Sequence, residues 1–224
     1  MVDDYLSDRE QEEALRNWWR ENWRWILGGI VLGVALLFGW FRWQDYRVDQ
    51  GEDAAQQYAE VKAAADARDV EKATKELSEL TAKHDSSPYA HQGRLLLAKL
   101  QVDAAKYDEA LALLKIVGEQ SKDDELANIA RLRAARILIQ QGKHDEAIAS
   151  LKIDELGAFA PNAHEIRGDA NLAKGDESAA RAEYAAALAA TDAQIDRNML
   201  ELKLQEVGGS APAPESTAKA EGQP

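Results

Sequence analysis

His84 and His91 flank a six-residue stretch, Asp85 to Ala90, that holds Asp85, Ser86, Ser87 and Pro88, so serine, histidine and aspartate lie within eight residues of one another. These side chains could carry out acyl transfer, in which a histidine held against a hydroxyl in a cleft withdraws its proton. Nearness along the chain does not supply that geometry. The stretch reads as a loop: Asp85 and Ser86 end one helix, and Pro88 opens the next near its first turn, where a missing N–H leaves no bond unmade. Of the remaining histidines, His144 occupies a turn position that Tyr107 holds in a related stretch, and His164 stands alone on a helix. There is no HExxH, no phosphate-cradling glycine loop and no carboxylate pairing beyond ordinary surface acid. The chain has no cysteine, which excludes disulfides, thiolate metal sites and thiol catalysis. We read no catalytic, metal or cofactor-binding residues here and expect a protein that is not an enzyme.

The elements that would position a site begin with RWILGGIVLGVALLFGWFRW, Arg24 to Trp43, in which seventeen consecutive residues, Trp25 to Phe41, are uncharged. As a helix those residues span about 26 Å, slightly less than a hydrocarbon core of about 30 Å. Arg24 and Arg42 can run their stems along the acyl boundary and keep their charges among the headgroups. Trp18, Trp19, Trp23 and Trp25 on one side, and Trp40, Trp43 and Tyr46 on the other, form the two aromatic belts of a membrane span. A buried core helix rarely shows Trp and Arg at both ends with nothing polar between. An acidic, hydrophilic stretch precedes the apolar run, where a cleaved leader would be short and basic. We therefore expect a membrane anchor over 25–43, in contact with lipid.

Arg9, Arg16, Arg20 and Arg24 precede the span, whereas only Arg42 and Arg47 follow it before Lys62. Basic residues favour the cytoplasmic side, so 1–24 is expected to be a cytoplasmic amphipathic segment and 44–206 a domain across the membrane. Ser7 and Glu10 have the spacing of a capping box. A helix starting there meets no strong breaker and can run through the span, with a weak point at Gly51. Gly29 and Gly33 form a small-xxx-small pair that would let a neighbouring helix approach closely.

The rest is rich in Ala, Leu, Glu, Lys, Gln and Arg, all good helix formers, and lacks the alternation of strands. We expect an all-α fold. The formal charge is −13, with bases scattered among acids, so there is no basic stripe for nucleic acid. Residues 207–224, which include GGSAPAPESTAKAEGQP, have no apolar periodicity and read as a disordered tail.

Within the domain, AKYDEALALL from Ala105, GKHDEAIASL from Gly142, GDESAARAEY from Gly175 and a fainter RDVEKATKEL from Arg68 align on Ala73, Ala110, Ala147 and Ala180, spaced by 37, 37 and 33 residues. Four residues after each alanine stands a large side chain: Leu77, Leu114, Leu151 and Tyr184. Twelve residues before the last three stand Ala98, Ala135 and Gly168. Small residues at both places belong where two antiparallel helices cross, with the residue four further on wedged into the next helix. Asp108 and Asp145 are placed to cap the second helices. The closing stretch DAQIDRNMLELKLQEV would pack through Ile195, Met199, Leu202 and Leu204. This spacing resembles the tetratricopeptide repeat, a helix-turn-helix of about 34 residues. It predicts a single transmembrane helix followed by a tetratricopeptide-like helical-hairpin solenoid, although Arg94, Arg131 and His164 stand where the repeat usually has a Trp.

Three stretches, SPYAHQGRLLLAKLQVDAAKYDEAL, LRAARILIQQGKHDEAIASL and RGDANLAKGDESAARAEY, together with GWFRWQDYRVDQ after the span, resemble the YfgM family, ancillary subunits of the bacterial Sec translocon. The resemblance excludes only the tail. It implies a single-pass inner-membrane protein with a periplasmic repeat domain. Its implied partners are the SecYEG channel, the membrane-anchored periplasmic chaperone PpiD and emerging secretory polypeptides.

First helices of such repeats line a concave face. That face should include Leu95, Lys99, Val102, Leu132, Arg136 and Ile139, with Asp169 and Leu172 in the fourth unit. These could hold a peptide segment; alternatively the charges are solvated and Leu95 and Leu132 are core. Two other functions fit the residues: a regulator whose cytoplasmic YLSDREQEEALRNWW helix sequesters a signalling protein, and an envelope assembly scaffold.

Overall fold

The computed structural model describes residues 8–190 and 195–209, and these divide into two units meeting at Asp53 and Ala54. The capping pair Ser7–Glu10 lies outside the described residues, as does the tail from 210. No strand occurs among the described residues, in keeping with the all-α expectation. Helix α1 spans Asp8–Asp66. Its helical bonding continues through Gly51, so the weak point expected there does not interrupt it. The helix-forming residues on both sides outweigh the cost of one glycine, about 1 kcal/mol.

In the first unit, the apolar side chains of α1 face outwards: Trp25 is 83% exposed and Phe38 74%. Among the described residues one helix is long and apolar enough to cross a membrane, and none of its apolar stretch is buried against protein. The Trp40 and Trp43 rings lie 5.2 Å apart, and the Arg47 guanidinium stands 5.0 Å from the Trp43 ring centre. The second end of the span thus carries an amphipathic aromatic–cation cluster suited to a headgroup layer.

The second unit contains the part of α1 from Ala54, then α2 (Val70–His84), α3 (Pro88–Asp103), α4 (Tyr107–Gln120), α5 (Asp124–Gln140), α6 (His144–Ser150), α7 (Ala160–Ala173), α8 (Glu177–Leu188) and α9 (Arg197–Glu206). From α2 onwards consecutive helices pack together, and α3 also touches α5 as α5 touches α7, which is the contact pattern of a stacked solenoid. Ala73, Ala110, Ala147 and Ala180 are all fully buried, and Leu77, Leu114, Leu151 and Tyr184 are buried behind them. Apolar clusters follow one another along the stack, one for each hairpin.

A second regularity sits five residues before each alanine. Arg68, Ala105, Gly142 and Gly175 have φ of 56°, 57°, 75° and 83°. Each donates its N–H to the carbonyl three residues back, and the following residue donates to the carbonyl five back, as in Gly142 to Ile139 (2.9 Å) and Lys143 to Leu138 (2.8 Å). This left-handed ending satisfies carbonyls that a helix C-terminus would otherwise leave open. The faint first unit shares it, so Arg68 begins a true repeat.

Three expectations need correction. Asp108 and Asp145 do not cap: α4 and α6 begin one residue earlier, at Tyr107 and His144, with no side-chain cap. Both carboxylates instead reach the next unit, Asp108 accepting from Gln141 Nε2 (2.9 Å) and Asp145 from Lys174 Nζ (2.5 Å). The closing helix buries Leu200 and Leu204, with Val207 just after it, while Met199 and Leu202 stand 50% and 60% exposed. It starts only after its cap Asp196, so the face that packs is set by Leu200 and repeats at four and seven residues. Finally, Val207 belongs to the last core cluster and its carbonyl accepts from Arg181 Nε (2.8 Å). Packing therefore extends beyond the boundary expected at 206.

Candidate partner-binding site

The histidine loop is occupied by structural bonds. Ser87 Oγ accepts the Ala90 N–H (3.1 Å) as the cap of α3. The Asp85 carboxylate and carbonyl both accept from Arg94. His84 and His91 are buried. Ser87 is thus committed to starting α3, and Asp85 to holding the end of α2 against α3. At the far end His164 Nδ1 lies 2.6 Å, and Arg167 2.7 Å, from the Glu183 carboxylate, tying α7 to α8. Among the described residues no group of His, Asp and Glu converges as a metal site would.

The six crossing positions are all buried: Ala98, Ala110, Ala135, Ala147 and Ala180, with Gly168 among the buried residues of α7. A Cβ on Gly168 would run into the ring of Tyr184, whose Cζ would stand only 3.1 Å away. In the span, a Cβ on Gly29 or Gly33 would meet nothing within 4 Å, so both lie on an open helix surface.

The residues expected on the concave face separate into four groups. Leu95 and Leu132 are core, 7% and 5% exposed. Ile139 and Leu172 are half-buried against neighbouring clusters. Asp169 is consumed by other bonds: it accepts from Tyr184 Oη (2.9 Å) and from Lys203 Nζ (2.8 Å), which also reaches Glu165 (2.7 Å). Burial, followed by the bond to Asp169 and its negative charge, pushes the Tyr184 phenol well above its usual range, so it stays a donor. Lys203 comes from α9, which therefore covers the fourth unit.

Lys99, Val102 and Arg136 do come together. They line a cavity of about 380 Å³ with Ala98, Leu114, Arg133 and Ile137. Helix α3 supplies one wall and α5 the other, and α4 supplies Leu114 at the base. Arg133 and Ile137 were not read from the sequence. Arg133 stands one turn before Arg136, so the spacing of α5 could have placed both on one face.

The family profile of the tetratricopeptide repeat-like domain matches residues 16–209, most of the chain. The chain belongs to that family. It is also similar to proteins named "Ancillary SecYEG translocon subunit", in line with the YfgM likeness read from its sequence. The relative from Haemophilus influenzae is 28% identical over 201 residues, 89% of this chain and 98% of that protein. The one from Escherichia coli K12 is 26% identical over 200 residues, 89% and 96% of the two chains. The one from Neisseria gonorrhoeae is 27% identical over 202 residues, 89% and 97%.

Proposed function

We propose that this chain is a membrane-anchored, non-enzymatic interaction subunit associated with the SecYEG translocon. What carries the reading is that relatives named for that association align with it nearly end to end, through both the apolar span and the repeat domain. In this reading the N-terminus is cytoplasmic, α1 crosses the inner membrane beside the channel, and the solenoid stands in the periplasm. There the repeats link emerging secretory chains to the chaperone PpiD, with the cavity between α3 and α5 as the partner-binding surface. The excess of arginine before the span supports this orientation.

A reporter active only in the periplasm tests the topology. It should work when fused after Gly209 and fail when fused at the N-terminus; the reverse pattern would contradict the orientation. Deleting 1–16 while keeping the span should leave capture of periplasmic partners intact, whereas a cytoplasmic regulator would lose its function.

A further inference from the structure

Lys99, Arg133 and Arg136 surround one apolar cavity, and among the described residues none of the three forms an ion pair with a carboxylate. In a chain of formal charge −13 this local imbalance stands out, because acids outnumber bases 40 to 27. Four other cations of the solenoid, Arg94, Arg167, Lys174 and Lys203, each hold a carboxylate. Arg133 and Arg136 stand one turn apart on α5, a like-charge spacing that strains the helix when no anion is near. The base of the cavity is apolar, with Ala98, Leu114 and Ile137 buried behind half-buried Val102. A purely ionic ligand would leave that base wet, and a purely apolar one would leave three cations unanswered.

We propose that this cavity docks an acidic amphipathic segment of a partner protein, with apolar side chains on Leu114, Ile137 and Val102 and carboxylates answering Lys99, Arg133 and Arg136. The inference rests on the reading of the cavity as the partner-binding surface and adds the chemistry of what it takes. Charge complementarity commits the site to a carboxylate-bearing peptide. An exposed cationic rim also makes binding sensitive to ionic strength.

The test uses the full chain in detergent micelles and two labelled helical peptides. One carries glutamates flanking a leucine–alanine face, and the other has glutamine at each of those positions. Fluorescence anisotropy should show the glutamate peptide binding about tenfold tighter, with the preference fading as salt is raised. The triple variant K99E/R133E/R136E should lose that preference at unchanged melting temperature. If it does not fold, K99Q/R133Q/R136Q takes its place. Equal binding of the two peptides overturns the inference, and so does binding that survives the triple substitution. Sedimentation with phosphatidylglycerol vesicles that depends on the three cations, without peptide binding, also overturns it by assigning the site to lipid. SecY co-purification is followed on the same protein. Peptide binding without SecY recovery supports this inference while contradicting translocon association; SecY recovery without peptide preference does the converse.

Discussion

Gly168 has no room for a side chain, because the Tyr184 ring fills the space where Cβ would be and is itself fully buried. Gly168→Ala should therefore cost about 1–3 kcal/mol by overpacking, read as a lowered denaturation midpoint. Ala135→Leu and Ala147→Leu should cost a similar amount, since both alanines are fully buried. Unchanged stability in all three would contradict the repeat register. His91 offers a pH-dependent check. Burial and then the charge of Arg94 hold its imidazole below the ordinary value of 6.5, with Asp85 pulling the other way. The unfolded chain therefore binds this proton more readily, so stability is full above about pH 6.5 and declines as pH falls below it. His91→Gln should flatten that decline in melting experiments across the range. Superimposable profiles for the two proteins would contradict the argument.

At the scale of elements, each hairpin turn places one residue in left-handed backbone, and the chain uses glycine at only two of these four turns, Gly142 and Gly175. Ala105→Gly should stabilise the domain by up to about 1 kcal/mol, and Gly142→Ala should destabilise it by about 1 kcal/mol. Opposite signs in chemical denaturation would show that the turn geometry is misread. The small residues at the helix crossings were legible in the sequence because burial at a close approach restricts side-chain size. The left-handed residues in the turns of the first two units were less legible, because Arg68 and Ala105 give no sign of positive φ. The caps were misplaced for a related reason. Asp108 and Asp145 carry cap-type side chains, yet they bond to Gln141 and Lys174 of the next unit, and no local pattern reveals a contact made about thirty residues away.

Across the whole molecule, the span and the repeat array were both readable, since one depends on length and flanking residues and the other on periodic side-chain size. The candidate site was only partly readable. Lys99, Val102 and Arg136 line the cavity, but Leu95 and Leu132 point into the core and Asp169 is held by Lys203 of α9. Repeat register says which helix face a residue occupies. It does not say whether a later helix covers that face, and α9 closes the fourth unit while leaving the second and third open.

The proposed function places this chain beside the protein-conducting channel. Photo-crosslinkers placed at Gly33 in the span and at Arg136 on the cavity rim, activated in intact membranes and followed by identification of the adducts, test it most directly. SecY, SecE or SecG should be recovered from Gly33, and a separate acidic partner from Arg136. Recovery of none of the three channel subunits from either position would contradict the account.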